Sequence, residues 1–198
     1  MKDLSRILPL ALILPGLAAA QCPVAADLEK GIEIETVEGE VESFIRIDPH
    51  RVQSLLMYDE GAGTRILLGK GVYLLEVLDE EDGQPVVGTR ATYTFPLPVA
   101  DLPPITPGGG WSTRAAILDA DGLSSEVQHY IFGAQARVTI GACSYDMIPI
   151  ELRYRGEAGE GDIDYLHYLP DLGISYLVRS DYGAHSDIYT YHTIRVAP

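Results

Sequence analysis

"YDEGAGTRILLGKGVY" (residues 58–73) and "YIFGAQARVTIGACSY" (residues 130–145) show one pattern twice in a chain of 198 residues. At a constant offset of 72 residues the two stretches agree at six of sixteen positions, where usage frequencies alone give about one identity. The identical pairs are Tyr58/Tyr130, Gly61/Gly133, Ala62/Ala134, Arg65/Arg137, Gly69/Gly141 and Tyr73/Tyr145. Self-similarity at a fixed offset is typical of a duplicated structural unit, so we predict two tandem repeats of about 70 residues.

The residues inside and around these stretches alternate with the period of a β-strand. In "EVESFIRI" (40–47) the residues alternate, with Val41, Ser43, Ile45 and Ile47 on one face and Glu40, Glu42 and Arg46 on the other, and "DIYTYHTIRV" (187–196) alternates in the same way. Glycine- and aspartate-rich turns separate such runs, and only "PVAADLEKG" (23–31) resembles a short helix. The sequence predicts an all-β protein of about ten to twelve antiparallel strands. We expect a curved meander sheet that forms either an open half-barrel or two packed sheets.

A segment rich in proline and glycine divides the two copies. "FPLPVADLPPITPGGGW" (95–111) contains five prolines and three glycines, which excludes a central strand or a helix there. We therefore predict a linker between two β units and a terminal hairpin after the second unit. The predicted divisions are 1–20 (signal peptide), 21–39 (N-terminal segment with the short helix), 40–98 (repeat 1), 99–110 (linker), 111–172 (repeat 2) and 173–198 (C-terminal hairpin).

The first twenty residues have the pattern of an export signal. Lys2 and Arg6 precede the apolar run "ILPLALILPGLAAA" (7–20), which ends in the small residues that a signal peptidase requires. We expect cleavage after Ala20 and a periplasmic location. An oxidising compartment favours pairing of the chain's two cysteines, so we predict a disulfide between Cys22 and Cys143.

The composition limits the partners. The chain has 14 basic and 29 acidic residues and a formal net charge of −15. Nucleic acids and anionic membrane surfaces would repel such a protein. After residue 20 the sequence contains no apolar run long enough to span a bilayer, so we expect no stable membrane insertion.

The repeated stretches supply the first candidate ligand contacts. If each stretch were an unbroken strand, Arg65 and Tyr73 would share one face, and Arg137 and Tyr145 would share the equivalent face. These four residues could form paired ligand contacts, one set per repeat. Alternatively, the tyrosines cover the edge of the core and the arginines neutralise acidic neighbours.

The C-terminal third supplies the remaining candidates. His167, Tyr168 and Tyr176 lie around a proline bend, where aromatic side chains could border an apolar groove or cover a β-sandwich. His185 and His192 could form a metal or general-base cluster with Asp187. The alternation of residues 187–196 instead predicts that His192 is a core residue.

No catalytic motif is present in the sequence, and we predict no cofactor and no metal ion. The sequence favours an exported, non-enzymatic β protein that binds an apolar ligand or a polypeptide partner, or serves as an accessory module. The alternative is a hydrolase or metal-dependent enzyme that uses the C-terminal third. An enzyme requires that His167, His185 or His192 meets a carboxylate in a cleft, whereas a binding module requires a continuous apolar surface.

Overall fold

The computed structural model describes residues 21–59, 61–156 and 159–198. Fifteen strands in these residues form one antiparallel sheet. The strands are β1 (Ile32–Thr36), β2 (Val41–Asp48), β3 (Arg51–Asp59), β4 (Ala62–Gly69), β5 (Tyr73–Glu81), β6 (Gln84–Pro85), β7 (Ala91–Thr94), β8 (Gly110–Asp119), β9 (Gly122–Phe132), β10 (Ala136–Ile140), β11 (Cys143–Gly156), β12 (Gly159–Leu169), β13 (Ile174–Tyr182), β14 (His185–Ile188) and β15 (Tyr191–Val196). The predicted all-β antiparallel fold is confirmed. The signal peptide predicted over residues 1–20 lies outside the described residues.

The sheet is an open meander whose two ends are joined by the chain itself. Its hydrogen-bonded order is β14-β13-β12-β11-β9-β8-β7-β5-β4-β3-β2-β1-β15. β14 and β15 therefore lie at opposite ends of the order, yet only Tyr189 and Thr190 separate them in sequence. The amide of Tyr189 donates to Val178 O on β13 (3.0 Å), and Thr190 O accepts from the amide of Val37 (2.9 Å) just beyond β1. The sheet must therefore curve until its first and last strands are close together.

The meander is interrupted at β10. β10 pairs with the first part of β11, up to Met147, whereas the rest of β11 pairs with β9 and β12. β10 is thus displaced from the place between β9 and β11 that a simple meander would give it. This displacement allows β11, which has 14 residues, to contribute to two interiors.

Two apolar cores result. Side chains of Cys143, Tyr145 and Met147 enter the first core, and those of Ile148, Ile150 and Leu152 enter the second. The other buried members of the first core are Leu28, Ile32, Ile34, Phe44, Val52, Ile140, Leu169, Leu172, Ile174, Tyr176 and Ile194. The other buried members of the second core are Val72, Tyr73, Phe95, Leu102, Ala115, Tyr130 and Phe132. Strand alternation in β11 thus links the two cores.

Two short 3-10 helices cover the sheet. The first is Ala25–Glu29 and the second is Val99–Asp101. Leu28 in the first helix is 0% exposed, and Leu102 directly after the second is 1% exposed. Each helix therefore contributes a leucine to one of the cores. Among the described residues, the helices are all too short to cross a membrane.

Candidate functional site

The repeated stretches are hairpins, not unbroken strands. Gly69 pairs with Tyr73 across the turn between β4 and β5. Lys70 (φ 51°) and Gly71 (φ 72°) adopt left-handed backbone conformations within that turn. In the second stretch Gly141 (φ 59°) lies in the turn between β10 and β11. Neither stretch is therefore the unbroken strand that a shared face would require, because the chain reverses at Lys70–Gly71 in the first and at Gly141 in the second.

Tyr73 is a core residue with one polar contact. It is 0% exposed, and its hydroxyl donates to Pro103 O at 3.0 Å. Its ring makes edge contacts with the rings of Tyr130 (4.9 Å between centroids) and Trp111 (5.4 Å). Burial raises the pKa of the hydroxyl, which stays protonated. Arg65 forms an ion pair with Glu80, with 3.0 Å between a guanidinium nitrogen and a carboxylate oxygen.

Tyr145 has a corresponding contact in the first core. Its hydroxyl donates to Pro23 O at 3.0 Å, and burial raises its pKa to about 12. The predicted disulfide between Cys22 and Cys143 is confirmed, with a Cα–Cα distance of 5.5 Å. Arg137 is exposed and lies 3.6 Å from a carboxylate oxygen of Asp146. As ligand contacts, Arg65, Tyr73, Arg137 and Tyr145 remain a prediction.

Two of the three candidates in the C-terminal third are in contact. His167 Nδ1 lies 3.2 Å from the hydroxyl of Tyr176, and their rings meet edge to face. Burial lowers the pKa of His167, so the imidazole is neutral near pH 7. Tyr176 is 2% exposed and also meets the ring of Tyr191. Tyr168 contacts the second core instead and lines a separate cavity.

The prediction that His192 is a core residue was wrong. Glu35 pairs with Thr193 and Thr36 pairs with Tyr191, so His192 is an extra residue in β15. This bulge directs Tyr191 and Ile194 to the first core and leaves His192 exposed. His185 is exposed as well, and its ring lies 5.9 Å from that of Tyr182. In the part of the chain that the structure describes, no three His, Cys, Asp or Glu side chains are arranged to hold a metal ion.

His167 borders an apolar groove of about 430 Å³ on the sheet. The groove is open to solvent and crosses β9, β11, β12 and β13. It is lined by Ile131, Gly133, Pro149, Ile150, Glu151, Tyr165, Leu166, His167, Val178 and Arg179. Ile131 is 48% exposed here and presents an apolar side chain to the groove. We call this surface the β9–β13 groove.

Charged pairs flank the apolar part of the β9–β13 groove. Arg179 donates to Asp181 (2.6 and 2.8 Å), and its guanidinium lies 5.2 Å from the centre of the Tyr165 ring. Glu151 accepts a hydrogen bond from Arg153, which lies two residues further along β11. The groove therefore has an apolar floor and a rim with charges of both signs.

Sequence reasoning identified His167 in this groove but not its neighbours. The groove depends on the strand register, which aligns Ile131 with Glu151, Glu151 with Tyr165, and Tyr165 with Arg179. These residues lie far apart in sequence and carry no common motif. Alternation could have assigned each residue to a face of its strand, but not to these partners.

The chain matches no protein-family model and no curated protein. Among solved structures it is similar to the crystal structure of the hypothetical lipoprotein YmcC from Escherichia coli (K12). The two share 11% sequence identity with a TM-score of 0.43, and the alignment covers 83% of this chain and 81% of that chain. Function is therefore inferred from the side chains of the groove themselves.

Proposed function

We propose that the protein is an exported, non-enzymatic binding module that holds an apolar segment of a partner polypeptide in the β9–β13 groove. The observation that carries this proposal is the exposed apolar floor around Ile131, 48% exposed, in a continuous groove of about 430 Å³. An apolar centre bordered by charged residues has the composition of a protein interface.

The rim of the groove favours a polypeptide over a small apolar molecule. Protein interfaces combine an apolar centre with a polar rim, as the groove does with the pairs Arg179–Asp181 and Arg153–Glu151. Charged side chains of a partner segment could form ion pairs with these residues while its apolar side chains cover Ile131.

The proposed location is the periplasm. The disulfide between Cys22 and Cys143 supports export, because disulfides persist in oxidising compartments. The apolar run at residues 7–20, which ends in small residues, supports removal of a signal peptide after Ala20.

A tandem duplication is our proposed origin for residues 40–98 and 111–172, with residues 99–110 as the linker and 173–198 as the terminal addition. "PVAADL" (23–28) and "PVADL" (98–102) each precede one copy, and each contains a 3-10 helix and a buried leucine, which lies within the first helix and directly after the second. Tyr73 in the first copy donates to Pro103 O in the linker, and Tyr145 in the second donates to Pro23 O in the N-terminal segment. This exchange of contacts between copies supports the duplication.

Peptide selection tests the binding function. We expect a library of random peptides, panned against the immobilised protein, to yield sequences rich in apolar residues. Ile131→Asp places a charge on the floor of the groove and should weaken binding of a selected peptide at least about tenfold. Leu123→Asp is the matched control, because Leu123 lies on the same strand, is 78% exposed and is outside the groove. The control should change the affinity less than about twofold, since it removes a surface side chain away from the site.

Three outcomes would contradict the proposal. Selected peptides could lack apolar residues, they could bind wild type and Ile131→Asp equally, or small apolar compounds alone could occupy the groove. Thermal unfolding of both variants shows whether a lost affinity arises from a lost fold.

A further inference from the structure

We propose that a second, independent site binds a small molecule through its oxyanion, a phosphate or a carboxylate group. The site is a cavity of about 340 Å³ between the β2–β3 turn, the β4–β5 turn, the linker and the β12–β13 turn. We call it the basic cavity. Its basic residues are Arg46, His50, Arg51 and Lys70.

Charge distinguishes the basic cavity from the rest of the molecule. The whole chain has only 14 lysines and arginines and a net charge of −15, yet three of those cations line this one cavity. Among the lining residues Asp48 is the single acid, and Glu29 lies in the neighbouring groove beside Arg46. The lining residues therefore have a net positive charge even when His50 is neutral. Such a concentration of cations in an acidic protein attracts an anion.

Hydrogen bonds hold the three cations in place. A guanidinium nitrogen of Arg46 donates to Ala25 O in the first 3-10 helix (3.1 Å), and Lys70 Nζ donates to Leu102 O after the second. Arg51 pairs with Asp48 at 2.6 Å. Each of these contacts uses only part of the donor set, because arginine has five N–H donors and lysine has three. The remaining donors are available to an oxyanion at little further entropic cost.

The backbone at Lys70 is also unusual. Lys70 has φ 51°, a left-handed conformation that is unfavourable for a residue with a Cβ. The neighbouring turn at Gly71 is fixed because Ser175 Oγ donates to Gly71 O (2.6 Å) and because a Cβ at Gly71 would lie 2.1 Å from Gly173 O. The β4–β5 turn is thus locked against the β12–β13 turn. This contact holds the Lys70 side chain at the cavity in spite of the strained backbone.

The other walls indicate the class of ligand. Tyr168 and Ile105 add an aromatic and an aliphatic surface beside the cations. A volume of about 340 Å³ corresponds to on the order of ten water molecules, which suits a small molecule and not a polymer. Arginine side chains bind phosphate and carboxylate groups with two parallel hydrogen bonds. We therefore assign the cavity to a small organic acid or phosphate ester, with the ring of Tyr168 against its body.

Calorimetric titration at low salt tests the assignment with three probes: inorganic phosphate, glucuronate and glucose. We expect phosphate, glucuronate or both to bind, and glucose not to bind. A double variant with Lys70→Gln and Arg51→Gln should weaken the binding at least about tenfold, because two of three cations are lost. The matched control, Lys30→Gln with Arg137→Gln, removes the same charge from exposed positions and should bind as the wild type does. Binding of phosphate alone would assign a phosphate group, and binding of glucuronate a carboxylate.

A second double variant, Lys70→Gly with Arg51→Gln, distinguishes a loss of binding from a loss of the fold. Glycine accepts the left-handed backbone at this position, so this variant removes the charge without backbone strain. The assignment is overturned if neither anion binds at millimolar concentration. It is also overturned if both double variants lose binding to the same extent, which would indicate a general charge effect. Peptide binding in the β9–β13 groove is measured separately with Ile131→Asp, so failure of one proposal leaves the other intact.

Discussion

Tyr73 and Tyr145 make the same kind of hydrogen bond, but the segments that cover them are held to the sheet in two different ways. Each tyrosine is buried, and each hydroxyl donates at 3.0 Å to a proline carbonyl in a segment that carries a 3-10 helix. At Tyr145 the covering segment is linked covalently by Cys22–Cys143. At Tyr73 it is held by Lys70, which donates to Leu102 O, and by packing over Gly69, where a Cβ would lie 3.2 Å from a side-chain carbon of Leu102.

The difference follows from how each covering segment is attached. The linker lies between β7 and β8, so the sheet holds it at both ends. The N-terminal segment, among the described residues, is continued into a strand only at one end, by β1. A segment held at one end loses more conformational freedom when it docks, so it gains more from a covalent link. The comparison indicates that the disulfide replaces a second strand as the attachment.

Loss of the disulfide should have the largest effect on stability. Changing Cys22→Ala together with Cys143→Ala opens a loop of 121 residues and should lower the free energy of unfolding by about 3–5 kcal/mol. Urea denaturation with and without reductant measures the loss. The reduced wild type should match the double variant, and a loss below about 1 kcal/mol would show that the N-terminal segment is held without its covalent link.

A second contrast concerns two buried carboxylates. Glu80 (8% exposed) has a cationic partner in Arg65, whereas Glu42 (8% exposed) lies beside the first core and accepts a hydrogen bond from Ser54 Oγ. Burial raises the pKa of Glu42 from 4.5 to about 7, and the Ser54 hydrogen bond offsets this only in part. The native state therefore binds a proton that the unfolded state releases between these two pH values.

This contrast predicts a stability that falls with rising pH. The contribution of protonated Glu42 is fully present below pH 4.5 and is lost as pH rises through about 7, by up to about 3 kcal/mol. Glu42→Gln keeps a neutral side chain at every pH and should remove this part of the slope in urea denaturation between about pH 5 and pH 8. Glu80→Gln is the control: it removes the other buried carboxylate and leaves Arg65 without its partner, and the part of the slope assigned to Glu42 should persist in this variant. An unchanged slope in Glu42→Gln would contradict the prediction.

The sequence predicted the class of structure because local alternation determines strands. Period-2 patterns in residues 40–47 and the count of two cysteines indicated an antiparallel fold with a Cys22–Cys143 link, and both are confirmed. The interpretation of the two faces of residues 40–47 was wrong, because Phe44 and Glu42 are buried whereas Ile45 and Ile47 are exposed. Strand alternation depends only on neighbouring residues, and two cysteines allow only one pairing within the chain. Both features can therefore be predicted from a single sequence.

The features that failed depend on register. A single extra residue, His192, moves Tyr191 to the core face, and no residue type marks such a bulge in advance. Arg65 and Tyr73 were placed on one strand face because even spacing was counted between them, although the left-handed residues Lys70 and Gly71 reverse the chain there, as Gly141 does in the second stretch. The β9–β13 groove could not be predicted for the same reason. Its lining residues, such as Ile131 and Arg179, come together only when three pairs of strands are in register.

The smallest expected change in stability, from removal of a single tyrosine hydroxyl, tests directly how the covering segment is held at each of the two turns. Tyr73→Phe and Tyr145→Phe each remove one hydroxyl and leave the carbonyl of Pro103 or Pro23 without that donor, at a cost of about 1–2 kcal/mol. In the variant without the disulfide, the N-terminal segment is held less firmly over Tyr145. The cost of Tyr145→Phe should then fall below about 0.5 kcal/mol, whereas the cost of Tyr73→Phe should stay the same within error.

A double-mutant cycle in urea denaturation measures this coupling. Residues that share one attachment show an interaction energy, and independent residues add. If both tyrosine substitutions add to the loss of the disulfide, Pro23 stays on Tyr145 without its covalent link. The two turns would then be fastened alike, because packing and one hydrogen bond would suffice at each. If both substitutions couple to the disulfide, its influence reaches the second core through β11, the strand whose side chains enter both interiors.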